Sequence, residues 1–168
     1  MTAMSRSIHD AAALASISSA SFKAAMRRFA STVTVVTSNR GGVLNGMTAT
    51  AVCSVSAAPP SVLIVVNREN RSHGLIEQSG AFTVNVLSAP QQMLAEHFAS
   101  APIAPFADVP YSVGLNNCPI IDQCASFLEC VVESQTRSGT HSVFVGRVVA
   151  SGESDFLPLV YHDGVFRK

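Results

Sequence analysis

The residues best suited to chemistry in this chain lie between Gly46 and Arg68 (GMTATAVCSVSAAPPSVLIVVNR) and just beyond. Two strand-like runs flank a Pro-Pro turn, and a basic, amide-rich segment follows the second run. Thr48, Ala49, Thr50 and Ala51 are small enough to let a flat, polar-edged ring approach the backbone, whose N–H groups can stabilise negative charge on it. Asn67, Arg68, Arg71 and Ser72 follow at the expected start of a helix. A helix N-terminus offers unpaired N–H groups and the positive end of a dipole, and Arg adds bidentate contacts, so a phosphate tail fits there. Taken alone, the same residues also describe a small-residue strand packed on a helix and a solvated basic turn.

Other chemistries are not written here. The chain has no GxGxxG after a strand, no GxxxxGK followed by Ser or Thr, no HExxH and no GxSxG. His9, His73, His97, His141 and His162 show no metal-ligand spacing, so no metal site is expected. Acids are few and scattered, which leaves the chemistry to a bound cofactor. Cys53, Cys118, Cys124 and Cys130 form no CxxC and read as reduced, mostly buried thiols. Cys53 in particular aligns with an apolar strand face.

The 168 residues suffice for one domain with a substantial core. Net charge is zero and Lys and Arg do not cluster, which argues against nucleic acid. Only 13% of residues are charged, which suggests surface hidden in an oligomer. No apolar run reaches the roughly 20 residues of a membrane span, and the first twenty lack a signal peptide's apolar stretch. Residues 1–20 read as a flexible arm, residues 21–168 as a single domain, and the location as cytoplasmic.

The elements that must position these residues follow from periodicity. Ser21 to Ala30 reads as a short helix with Phe22, Met26 and Phe29 on one stripe. Thr32 to Ser38 is a β-branched strand, and Asn39-Arg40-Gly41-Gly42 turns it into Met47 to Ser56. Ser61 to Asn67 is almost continuously apolar, as in a strand buried on both sides. Ala81 to Leu87, Ser126 to Glu133, Thr140 to Ala150 and Phe156 to Tyr161 read as further strands. Ser88 to Ser100 is the clearest helix, with Ser88 as N-cap and Gln91 in capping-box position. Residues 101–119 carry four of the eight prolines and read as a long loop. About seven strands with short helices between them predict a mostly antiparallel barrel.

Several pieces in order resemble the short-chain flavin reductases, the reductase components of two-component flavin-dependent monooxygenases such as 4-hydroxyphenylacetate 3-monooxygenase. Phe22 to Thr37 is similar to the family's opening helix and strand. Met47 to Ser56 followed by Pro59-Pro60 is the most specific piece. Phe82 to Leu87, His97 to Ala99, Gly139-Thr140-His141 and Pro158 to Phe166 follow in order. Thr140 departs from relatives, where that position is often acidic, and the loop before Pro119 is individual.

The resemblance implies an FMN-binding split β-barrel, usually a homodimer with the site near the subunit interface. It implies reduction of FMN or FAD by NADH or NADPH and release of reduced flavin to a partner monooxygenase. On this reading Thr48 to Ala51 carry the ring, while Ser54 and Val55 line the ring or ribityl chain. Asn67, Arg68, Arg71 and Ser72 hold the phosphate. Asn85 is offered to flavin or to backbone, and Phe98 to the ring edge or to helix core. His141, freed by Gly139, stands on the nicotinamide side, with Tyr161 and His162 as weaker candidates. The alternatives are a non-catalytic flavin- or haem-binding carrier or sensor barrel, and an oxidase of the pyridoxine-phosphate type, for which the basic residues look too few.

Overall fold

The structure, a computed structural model, describes residues 14–167, so most of the expected arm over 1–20 lies outside the described residues. The first helix, α1 (Ser19–Met26), starts on Ser18, whose hydroxyl accepts from the Ser21 N–H, and ends earlier than the periodicity predicts. Strands β1 (Ser31–Thr32) and β2 (Thr34–Arg40) follow. Gly41 and Gly42, with φ of 58° and 90°, make the tight turn into β3 (Val43–Ala49). Both glycines need the left-handed region that a two-residue hairpin of this hand requires. The Asn39 carboxamide closes the turn by accepting from the Gly42 N–H at 3.0 Å.

The run Met47 to Ser56 is not one strand. It breaks at Thr50-Ala51 into β3 and β4 (Val52–Ala57), and β4 turns through Ala58-Pro59 into β5 (Pro60–Asn67). The physical reason is in the sheet order. A seven-stranded antiparallel sheet runs β3-β2-β6-β9-β10-β5-β4, with β6 at Ala81–Val86, β9 at Ser126–Ser138 and β10 at His141–Glu153. β3 and β4 therefore occupy opposite edges although two residues separate them. A flat sheet would put those edges about 29 Å apart at about 4.8 Å per strand. Three peptide links reach at most about 11 Å. The sheet must curl until its edges nearly meet, and Thr50-Ala51 fastens them.

Helix α2 (Arg71–Ser79) packs on β2 and ends at Gly80, whose φ of 69° caps it. A 3-10 turn (Ala89–Gln91) leads into α3 (Gln92–Ala99), which packs on β3. The Ser88 N–H donates to Gln91 Oε1 at 2.9 Å, as the capping-box spacing predicts. The long loop over 101–119 is more ordered than its prolines suggest. It contains β7 (Tyr111–Val113) and pairs it with β8 (Pro119–Ile121). β11 (Val160–His162) and β12 (Val165–Arg167) form a small sheet with β1 in place of the longer strand expected from Phe156.

Two apolar clusters hold this together. Val36, Met47, Ile64, Ile76, Phe82 and Phe144 fill the space inside the curl under α2. Val33, Val35, Leu87, Ala95, Phe98 and Leu159 pack the opposite face under α3. The strand buried on both faces is β2, all of whose first five residues are buried. In β5 Ser61, Val62, Ile64 and Val66 are buried, while Leu63 and Val65 are half-buried. No helix among the described residues is long and apolar enough to cross a membrane.

Candidate functional site

The largest cleft described, about 580 Å³, opens over β3 where the curled sheet meets α2 and α3. Asn45 to Thr48 of β3 form its floor, and Phe98 and Ala99 at the end of α3 form one wall. Asn67, Glu69, Asn70 and Arg71 form the polar end, and Ala101 to Ile103 the lip. A second cleft of about 250 Å³ shares Thr48 and Ala99 with the first and continues over Ala49 and Thr50 towards Tyr161 and Phe166. Because β3 is an edge strand, half of its backbone N–H and C=O groups point away from β2. These groups are what a flat heterocycle needs along its polar edge.

Close approach to that backbone is built in. Gly46 lies against Phe98, and a Cβ there would stand 2.6 Å from Cε1 of the ring. The Asn45-Gly46 pair, normally a turn signal, continues a strand here because Gly41-Gly42 has already reversed the chain. Thr48 Oγ1 donates to the Ala95 carbonyl at 2.6 Å and so fixes α3 on β3. His97 and the Pro105 carbonyl, 2.9 Å apart, hold the loop that follows α3.

Thr48, Asn67, Arg71 and Phe98 thus come together in the large cleft, with Ala49 and Thr50 beside it. Ala51 is exposed in the link, and its carbonyl accepts from the Val65 N–H at 3.1 Å. Arg68 is turned away: Nη2 donates to the Gly139 carbonyl at 3.0 Å, tying β5 to the β9–β10 hairpin. Ser72 is fully buried and accepts from Asn45 Nδ2 at 2.7 Å. Asn85 is likewise buried, donating to the Val35 carbonyl at 3.1 Å and accepting from the Ile121 N–H at 2.8 Å. The polar groups of Ser72 and Asn85 are satisfied inside the protein, which makes both residues parts of the frame.

Ser54 lines a separate cleft of about 530 Å³ with Val52 and Cys53, and Val55 stands exposed on the same edge strand. Cys53 is exposed, not buried as its alignment suggests, because β4 is an edge. The other three thiols are buried, and burial pushes Cys118 up to about 11 and Cys124 and Cys130 to about 12. His141 is half-buried, sits opposite Asn67 in the β5–β10 register, and has Nδ1 2.9 Å from Thr140 Oγ1. That register puts the imidazole one strand from the polar end of the cleft. His73 is a packing residue, with Nε2 2.8 Å from Ser142 Oγ and its ring edge on Phe144.

Sequence reasoning missed Asn45, Gly46, Glu69, Asn70 and the Ala101–Ile103 lip. Glu69 and Asn70 lie within the amide-rich segment and were legible as polar residues, whereas the lip depends on how the loop leaves α3.

Residues 26–168 match the model of the flavin reductase like domain. The chain belongs to the flavin reductase like family. It is 35% identical over 147 residues to the reductase component of 4-nitrophenol 4-monooxygenase/4-nitrocatechol 2-monooxygenase of Rhodococcus opacus, covering 88% of this chain and 79% of that one. It is 34% identical over 128 residues to the 4-hydroxyphenylacetate 3-monooxygenase reductase component of Pseudomonas aeruginosa, covering 74% and 75%. Among solved structures of the family, the NADH:FAD oxidoreductase of Streptomyces globisporus, in complex with NAD and FAD fragments, superposes with a TM-score of 0.85 at 30% identity. That match covers 89% of this chain and 91% of the other.

Proposed function

We propose that this family member is an NAD(P)H-dependent flavin reductase that transfers a hydride from NADH or NADPH to FMN or FAD and supplies reduced flavin to a partner monooxygenase. The observation that carries the reading is the pair of joined clefts along the free edge of β3, with Arg71 at the polar end. The fit is specific: Gly46, Thr48 and Ala49 give a low floor, Phe98 an apolar wall, and Arg71 a cation for a phosphate. A flavin bound there supplies the hydride acceptor.

The chain's own residues bind and orient. The Thr48–Ala51 backbone holds the polar edge of the ring, Phe98 covers the ring, and Arg71 with Asn67 grips the tail. His141 positions the nicotinamide, which is the proximity that hydride transfer asks of a protein. We read the curled sheet as a split β-barrel, residues 21–168 as one domain behind an N-terminal arm, and the location as cytoplasmic. Exposed Phe22, Phe29, Val55, Phe156 and Leu157 support a homodimer. On that reading Ser54 and Val55 on the β4 edge belong to the subunit interface. A steady-state assay crossing FMN and FAD with NADH and NADPH tests the function. Saturable, flavin-dependent nicotinamide oxidation is expected. Tight flavin retention with no oxidation under any pairing would favour a carrier and overturn the reductase.

A further inference from the structure

His141 stands where the sheet has almost run out. The β5–β10 ladder ends at the Asn67–His141 pair, and the turn beyond it, Gly139-Thr140, is exposed. Residues directly opposite across a ladder carry their Cβ atoms on the same face, about 4.5–5.5 Å apart. Asn67 lines the polar end of the large cleft, so the imidazole stands on the cleft side of β10. Its Nδ1 is 2.9 Å from Thr140 Oγ1, and among the described residues Nε2 has no hydrogen-bond partner. One ring nitrogen is held by the turn and the other is left for a ligand.

Arg68 grips that turn at two points. Its backbone N–H donates to the Thr140 carbonyl at 3.1 Å, one rung past the end of the ladder. Its Nη2 donates to the Gly139 carbonyl at 3.0 Å. Both carbonyls of the two-residue turn are therefore held by one residue. The guanidinium is rigid, planar and always charged, so its bond is charge-assisted and directional. Among the described residues no carboxylate pairs with it.

We propose, resting on the flavin reductase reading above, that Arg68 is a positioning residue for the nicotinamide and acts through His141. Arg68 fixes the Gly139-Thr140 turn, the Thr140 hydroxyl fixes Nδ1 of the imidazole, and Nε2 faces the nicotinamide. Arg68 itself touches neither nucleotide, because a contact with a phosphate would take its guanidinium off the Gly139 carbonyl. Hydride transfer depends on orientation, so a loosened turn costs rate with the nicotinamide and leaves flavin binding alone.

A double-mutant cycle on the full chain tests this, with kcat/KM for NADH and NADPH and the Kd for FMN and FAD measured on each protein. Arg68→Met keeps the stem and removes the donors. The side chain is exposed and the backbone bond to Thr140 survives, so the variant keeps the fold. It should lower the nicotinamide kcat/KM by about three- to tenfold, the size of one charge-assisted hydrogen bond discounted for exposure. The flavin Kd should change by less than about twofold. Arg68→Lys, which restores one cationic donor, should recover most of the loss. In a His141→Ala background Arg68→Met should cost less than about twofold more. An unchanged kcat/KM in Arg68→Met, a flavin Kd that weakens in step with it, or the same loss with and without His141 overturns the inference and leaves the reductase standing. A wild-type protein that oxidises neither nicotinamide with either flavin overturns both.

Discussion

Gly46→Ala joins core packing to the site in one substitution. The new Cβ would lie 2.6 Å from Cε1 and 2.7 Å from Cδ1 of Phe98, and 3.2 Å from Cγ1 of Val35. Carbon atoms in contact sit about 3.5–4.0 Å apart, so the ring must retreat by about 1 Å. Phe98 is only 2% exposed and Phe106 stands behind it with ring centroids 5.2 Å apart. The one open direction is the cleft that Phe98 lines. Overpacking of this kind costs about 1–3 kcal/mol. In a domain of this size that is a fall of about 2–12 °C in Tm.

The displaced ring also narrows the cleft, so flavin affinity should drop about tenfold or more, which corresponds to about 1.4 kcal/mol or more. Phe98→Leu removes the clashing atoms, so the double variant should cost at least about 1 kcal/mol less than the sum of the singles. Thermal melts and flavin titrations on the four proteins give both quantities. Gly46→Ala with wild-type Tm and affinity, or a strictly additive cycle, would refute the claim that Gly46 exists to seat Phe98.

Three further expectations follow from the same geometry. His141→Ala should raise the nicotinamide KM more than the flavin Kd in steady-state and titration measurements, and the reverse pattern would remove His141 from that role. Arg71→Gln should weaken FMN and FAD by about tenfold relative to riboflavin, whereas Arg68→Gln should leave that ratio alone. The buried thiols make stability fall in alkali. Burial holds their folded pKa values at about 11 to 12, above the 9.0 of an ordinary thiol, so the unfolded chain loses protons first as pH rises. Their contribution is intact below pH 9 and is lost above it, at up to about 1.4 kcal/mol per pH unit for each thiol. Denaturant titrations at pH 8 and pH 10 check this, and at pH 8 a thiol reagent should modify Cys53 alone until the protein unfolds.

Much of the frame was legible because local signals and the fold agree. Gly41-Gly42 demanded a tight turn, the β-branched run before it demanded a strand, and Ser88 with Gln91 announced a helix start. The break at Thr50-Ala51 was not legible, because alternation continues across it and only the sheet order reveals that the chain changes edges. Arg68 looked as good an anion ligand as Arg71 in one dimension, but the hairpin at Gly139 claims it. Ser72 read as a site residue because it stands at a helix start beside two arginines, and Asn85 because a polar side chain in an apolar strand needs a partner. Their partners, Asn45 and Ile121, lie 27 and 36 residues away and no local pattern announces them. Cys53 misled for the converse reason, since an apolar face says nothing about whether its strand ends a sheet.

The two-residue link at Thr50-Ala51 has a bearing on what a ligand does to the whole molecule. A guest seated on Thr48 to Thr50 leans on the buckle that draws the two rims of the cuff together. Occupancy should therefore tighten the entire hoop, protecting amides on β4 and β5 from hydrogen exchange as strongly as those it touches on β3.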